Sequence, residues 1–175
     1  ENNRLDGIPV RPSKEHAFTG LVGKQLGATI EKFIHEKFNR EITVSVANDT
    51  ICLTLSGLTI SGAESISGGI AGTGLNFAFF LNQRQLVNLE AACFNKFPQS
   101  VEGKTINRQS LKPGEGLFEK EVAGGYLYLH YNLKTGDKLT STHELDMVAR
   151  SEKPGDKNLA RELFQRAAQL LACQV

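Results

Sequence analysis

The sequence predicts an α/β chain: a helix feeds a strand, a three-stranded meander follows, and helices close the chain. Three observations predict it. Apolar residues recur at helical spacing from Gly20 and then alternate over residues 42–47. Six glycines, Gly57, Gly62, Gly68, Gly69, Gly72 and Gly74, then punctuate β-rich material. Helical spacing returns over 115–133 and from Asp156 to the end.

Length and composition narrow the function. At 175 residues the chain suits one domain or a piece of a larger protein. A net charge of +1, with no Lys/Arg stripe interleaved with aromatics, argues against nucleic acid as a partner. No apolar run approaches the ~20 residues of a membrane span. Cys52, Cys93 and Cys173 lack metal spacing and sit among apolar residues, which predicts buried free thiols and a reducing, cytoplasmic compartment. His16, His35, His130 and His143 are scattered, and no metal site is expected.

Each element has its own reason. Residues 1–19, with Pro9 and Pro12, should be extended or looped. From Gly20, Val22, Leu26, Ile30, Phe33 and Ile34 share a helical face. Ile42, Val44 and Val46 then alternate as in a strand with one well-buried face. Residues 50–56 fit either a strand or a helix beginning at Thr50. Three short strands are expected near 65–71, 75–81 and 85–90, with a tight Asn-Gln-Arg connection between the last two. Residues 95–113, bounded by Pro98 and Pro113, read as loop. Gly124 and Gly125 inside a helix over 115–133 would each cost about 1 kcal/mol relative to Ala, so close packing or a ligand must require them. A short helix is expected around 143–150. Asp156 can cap a last helix in which Leu159, Leu163, Ala167 and Leu170 share a face.

Several polar residues fall where chemistry could occur. Asn48, Asp49 and Thr50 end the predicted strand, where α/β folds place their ligands. Asn48 or Asp49 could equally cap the following helix. The turn Gly72-Thr73-Gly74 lies between strands, and small residues allow backbone amides to approach an anion. No Gly-Lys-Ser/Thr follows it and no helix, so it is neither a Walker loop nor a dinucleotide fingerprint. Glu90 ends the third strand and Glu119 lies on the helix after Gly114. Two carboxylates with Asn side chains could ring a polyhydroxylated ligand, and each glutamate alone could equally be a solvated surface charge.

In order and spacing these pieces resemble the hexokinase family. The similarity starts at Ser13-Lys14, aligned with the family's Thr-Lys pair, and continues through Val46-Ala47-Asn48-Asp49-Thr50, its V-x-N-D-T. Gly72-Thr73-Gly74-Leu75-Asn76 matches G-T-G-x-N, and Val87-Asn88-Leu89-Glu90 carries the N-x-E that usually precedes Trp-Gly, here Ala91-Ala92. Pro113-Gly114 through Phe118-Glu119-Lys120, Gly125-Tyr126-Leu127, and Arg166-Ala167-Ala168-Gln169-Leu170 complete the series.

The resemblance implies an actin-like ATPase (ribonuclease H-like) fold and transfer of the ATP γ-phosphoryl group, with Mg²⁺, to the 6-hydroxyl of a hexose such as glucose. It implies Asp49 as catalytic base. It implies Ser13, Lys14, Asn48, Asn76, Glu90 and Glu119 as sugar contacts, with Gly72, Thr73 and Gly74 facing the phosphate. Phosphoryl transfer asks for positioning, charge stabilisation and one group to take the hydroxyl proton, which an ionised aspartate can supply. The family's Asp-x-Gly-Gly-Thr hairpin and adenosine-binding Gly-Ser-Gly segment do not occur in the sequence. An interior fragment is therefore expected: residues 1–57 as the end of the small lobe, residues 58–175 as the start of the large lobe, inactive alone. The alternative is a non-catalytic hexose-binding regulator on the same scaffold. A third reading is a folding unit whose glutamates only face solvent.

Overall fold

A computed structural model describes residues 5–10 and 20–174. The chain divides into two compact units, Glu1–Cys52 and Leu53–Val175.

In the first unit, α1 (Leu26–Phe38) carries the predicted helical spacing. Its N-terminus is capped from a distance: the Asp6 carboxylate accepts from the amides of Gly27 at 2.7 Å and Ala28 at 3.3 Å. An acidic group there satisfies otherwise orphaned donors and complements the helix dipole. Gly27 is needed for close approach, since a Cβ on it would lie 2.9 Å from the Val44 carbonyl oxygen. The helix ends at Asn39, which adopts the left-handed conformation (φ 50°).

Residues 42–47 correct the sequence reading. They belong to no strand among the described residues. The Val46 amide donates to the Leu5 carbonyl, while the Val44 amide donates to the Glu31 carboxylate at 2.8 Å. A ladder needs successive backbone partners, and here a side chain takes one of the donors. The expected buried face is also absent: Ile42 is exposed, and Val44 and Val46 are half-buried.

Residues 50–56 resolve as helix, within α2 (Asp49–Gly57). In the second unit a meander follows with strands β1 (Ser67–Ala71), β2 (Leu75–Asn82) and β3 (Gln85–Asn88), all antiparallel and in that order. Ile70 pairs with Asn76, and Ala78 with Asn88. Thr54 packs directly on β1, where a Cβ on Gly68 would come within 2.2 Å of its hydroxyl.

The region expected to be loop contains α3 (Val101–Gln109), a helix missed because its apolar content is low. Ser100 caps it by accepting from the Gly103 amide at 2.9 Å. The single helix expected over 115–133 is two, α4 (Glu119–Val122) and α5 (Leu127–Thr135), separated at residues 123–126. Gly124 and Gly125 lie in that break, and it is close packing that requires them. Then come α6 (Thr142–Arg150), capped by Ser141, and α7 (Lys157–Ala172), capped by Asp156 as the sequence predicts.

The core of this unit joins Leu75 of β2 to Phe118, Val122, Leu127, Tyr131, Leu145, Val148, Leu163 and Ala167 of the helical layer. The buried Tyr131 hydroxyl is satisfied by the Asp156 amide at 2.6 Å. The cysteines contradict the expectation of burial: Cys52, Cys93 and Cys173 are free but exposed. Apolar neighbours in sequence do not place a residue on the inward face of its element. Among the described residues no helix is long and apolar enough to cross a membrane.

Candidate functional site

The site is built around the end of the turn between β1 and β2. Gly72 and Thr73 are held from behind by the α4–α5 link, whose Gly124 amide donates to the Gly72 carbonyl at 2.7 Å and Gly125 amide to the Thr73 carbonyl at 3.2 Å. Neither donor could approach so closely with a side chain. A Cβ on Gly124 would sit 2.9 Å from the Gly72 oxygen, and one on Gly125 2.6 Å from the Thr73 oxygen. The turn closes on itself through the Gly72 amide and the Gly74 carbonyl.

Immediately after the turn, Leu75 donates its amide to the Glu119 carboxylate at 3.0 Å. Asn76 then reaches across the sheet, its amide nitrogen donating to Asn88 Oδ1, while Asn88 Nδ2 donates to Glu90 Oε1 at 2.7 Å. Asn76 Oδ1 accepts from its neighbour Phe77 at 2.9 Å and from the Ala91 amide at 3.2 Å. Asn76 and Glu90 are thus joined through Asn88, while Glu119 binds the backbone amide of the residue before Asn76. Glu90 is exposed and left-handed (φ 49°), a conformation uncommon for a non-glycine residue. Its carbonyl accepts from Cys93, and Ala91 bonds to Asn76, so the neighbouring backbone fixes it.

Glu119 is held by what flanks it. Phe118 is buried and meets Phe94 and Phe97 edge-on, with ring centroids 5.9 and 5.2 Å away. Lys120 is also buried, donating to Asn107 Oδ1 at 2.8 Å and to the Lys112 carbonyl at 2.9 Å. Burial pulls the Lys120 amine below its ordinary pKa, against the opposing pull of Glu115 and Glu119.

A cavity of about 610 Å³ lies beside the turn. Gly72, Thr73 and Gly74 line one side of it, Gly124, Gly125 and Tyr128 another, and Thr140–Thr142 with Phe164 and Leu171 complete it. Asn76, Glu90 and Glu119 do not line this cavity. The turn therefore belongs to both a largely apolar cavity and, through Leu75 and Asn76, a polar cluster.

In the first unit, Asn48 Oδ1 accepts from the amides of Thr50 at 2.9 Å and Ile51 at 3.3 Å, so it caps α2. Asp49 opens the helix, is exposed, and accepts from the Thr50 amide at 2.8 Å. Ser13 and Lys14 lie outside the described residues. Asn88 was not among the site residues expected from the sequence, though it links Asn76 to Glu90; its place in the Asn88-Leu89-Glu90 motif is the signal for it. Among the described residues no three His, Cys, Asp or Glu side chains converge as a metal site.

No protein-family profile matches the chain. Three curated proteins do align with it. A chloroplastic hexokinase-2 of Nicotiana tabacum is 28% identical, over 69% of this chain and 27% of its own length. A hexokinase-2 of Candida albicans is 27% identical, over 73% of this chain and 31% of its own. A hexokinase-5 of rice is 26% identical over 69% and 27%. The chain is similar in sequence to hexokinases.

Solved hexokinase structures share its α/β fold. One superposes with a TM-score of 0.69 at 21% identity, covering 96% of this chain and 42% of that one. A glucose-complexed hexokinase from Schistosoma mansoni gives 0.62 at 20% identity, covering 97% and 50%. The chain thus spans under a third of the curated hexokinases it matches and up to half of the solved ones.

Proposed function

We propose that this chain carries the hexose-binding part of an ATP-dependent hexokinase of the actin-like ATPase fold, with residues 1–57 ending the small lobe and 58–175 opening the large one. What supports the reading is that Asn76 is linked to Glu90 through Asn88 and that Glu119 binds the adjacent Leu75 amide, both at the start of β2, in a chain similar to hexokinases. Carboxylates accept from sugar hydroxyls, and amides both accept and donate, so this set suits a polyhydroxylated ring. A structural relative is complexed with glucose, which makes glucose the first hexose to test.

In this reading Asp49 takes the proton from the sugar 6-hydroxyl as the γ-phosphoryl group of ATP transfers to it. Asn48, Ser13 and Lys14 add sugar contacts from the first unit. Thr73 and its glycines face the phosphate. Ala fits Gly72 in this fold, since a Cβ there meets nothing within 4 Å, and a glycine that packing does not demand is consistent with close approach by a ligand. Mg²⁺ arrives with ATP as part of the substrate and shields the phosphate charge. Free thiols at all three cysteines fit a reducing, cytoplasmic setting.

The turn is the sole phosphate-facing element this reading assigns within residues 1–175. ATP bound by so few contacts samples many poses, and the rate advantage of a fixed near-attack geometry is lost. The 175-residue chain by itself should show no ATP-dependent glucose phosphorylation.

Asp49→Ala in the hexokinase that contains this chain tests the reading. Its kcat should fall by about 10²–10⁴-fold, while glucose affinity changes far less. Retained turnover would mean that Asp49 serves only the N-terminus of α2. A wild-type protein that binds glucose without phosphorylating it would be the sugar-binding regulator instead.

A further inference from the structure

α4 carries Glu119 but is four residues long, too short for its own hydrogen bonds to hold it. The same turn supplies the anchor. Glu121 is fully buried, and both of its carboxylate oxygens are occupied. Oε1 accepts from the Ser100 amide at 2.8 Å and its hydroxyl at 3.1 Å. Oε2 accepts from the same hydroxyl at 2.9 Å and from Arg166 Nη2 at 2.6 Å. Arg166 Nη1 also donates to the Glu121 carbonyl at 3.3 Å, gripping backbone and side chain together. Space for this carboxylate exists because residue 103 is glycine: a Cβ there would lie 1.8 Å from Oε1.

We propose that Glu121 and Arg166 are a positioning pair that sets Glu119 against the turn between β1 and β2, a role that bears on hexose binding if Glu119 is a sugar ligand as proposed above. Neither residue touches the sugar. The pair fixes α4 against the start of α3 and the middle of α7, and Glu119, two residues before Glu121, then meets the Leu75 amide. Directional bonds do this where apolar packing would not. A hydrophobic contact tolerates sliding and rotation, whereas a carboxylate saturated by donors from two elements has one orientation.

The test separates position from stability. Glu121→Met with Arg166→Met removes both charges and leaves neither orphaned, which avoids the large destabilisation of a half-broken buried pair. Arg166→Lys keeps a charged donor. Amide hydrogen exchange at Leu75 reports the Glu119 contact, and exchange at Ala78, deeper in β2, reports global opening. In the double variant Leu75 should exchange about tenfold faster or more, with Ala78 within about threefold of wild type. Arg166→Lys should recover most of the Leu75 protection. Unchanged Leu75 exchange, or acceleration equal to that of Ala78, would overturn the proposal. Glucose affinity is measured alongside: if Leu75 is released and affinity falls, both the pair and the sugar role of Glu119 stand. If Leu75 is released and affinity does not change, the pair still positions Glu119, and the sugar role of Glu119 is what fails.

Discussion

The Glu119 carboxylate accepts the Leu75 amide at 3.0 Å, joining residues 44 apart in sequence. Through this bond the helical layer holds the first residue of β2, directly after the glycine turn and directly before Asn76. A half-buried charge-assisted bond of this kind contributes about 1.5–3 kcal/mol. It places a carboxylate within one residue of both the proposed phosphate turn and the proposed sugar amide.

The glycines around that turn should separate packing from ligand approach. Gly125→Ala forces a Cβ to within 2.6 Å of the Thr73 oxygen, which is backbone and cannot swing aside. It should cost about 1–3 kcal/mol in chemical denaturation. Gly72→Ala meets open space and has no positive φ to strain it, so its stability should stay within about 0.5 kcal/mol of wild type. If the turn faces the phosphate as proposed, Gly72→Ala in the ATP-dependent enzyme should nonetheless raise the KM for ATP. If it changes neither quantity, the phosphate does not come close to that turn.

Glu90 offers the converse case. Its left-handed backbone costs a non-glycine residue about 1 kcal/mol or more, which glycine relieves at some expense in chain entropy. Glu90→Gly should therefore leave stability within about 1 kcal/mol of wild type while weakening hexose binding at least about tenfold. A loss of stability with unaltered hexose affinity would make Glu90 a structural residue.

Acid sensitivity should trace in part to His130. It is buried, with Nε2 on the Lys120 carbonyl. Burial lowers its pKa from the ordinary 6.5; that contact and Glu121 and Glu102 push the other way, and Arg166 adds to the lowering. The unfolded chain thus takes up this proton at a higher pH than the folded one. Its contribution is complete above about pH 6.5 and is lost as the pH falls below it, with a slope of at most about 1.4 kcal/mol per unit. Denaturation midpoints at pH 8 and pH 5.5 should differ less in His130→Gln than in wild type. An equal difference would assign the acid loss to other groups.

The meander was legible in the sequence because glycines punctuate its first half and β-formers fill it, and the structure has Ser67–Ala71, Leu75–Asn82 and Gln85–Asn88 where strands were expected. The cap of α7 was legible for a similar reason, a polar residue just before an apolar period. Residues 42–47 misled because alternation records readiness to pair, while a strand needs a partner, and the described residues offer only Leu5 and Glu31. The break at Gly124–Gly125 was hidden because the apolar spacing continues through it; what decides it is two carbonyls fifty residues earlier. The Glu121–Ser100–Arg166 cluster left no local trace at all. A buried charge looks like a surface charge until its partners are in view.

The central claim is that Asn76, Glu90 and Glu119 form one hexose site, and a glucose titration of the ¹⁵N-labelled chain followed by NMR tests it most directly. The chain's glucose affinity should be no tighter than millimolar, about −4 kcal/mol. Shifts should concentrate on the side-chain amides of Asn76 and Asn88 and the backbone amides of Leu75, Glu90 and Ala91, and Glu119→Gln should weaken them. Shifts that appear elsewhere, or none at those positions in a titration carried to about 1 M glucose, would contradict the account.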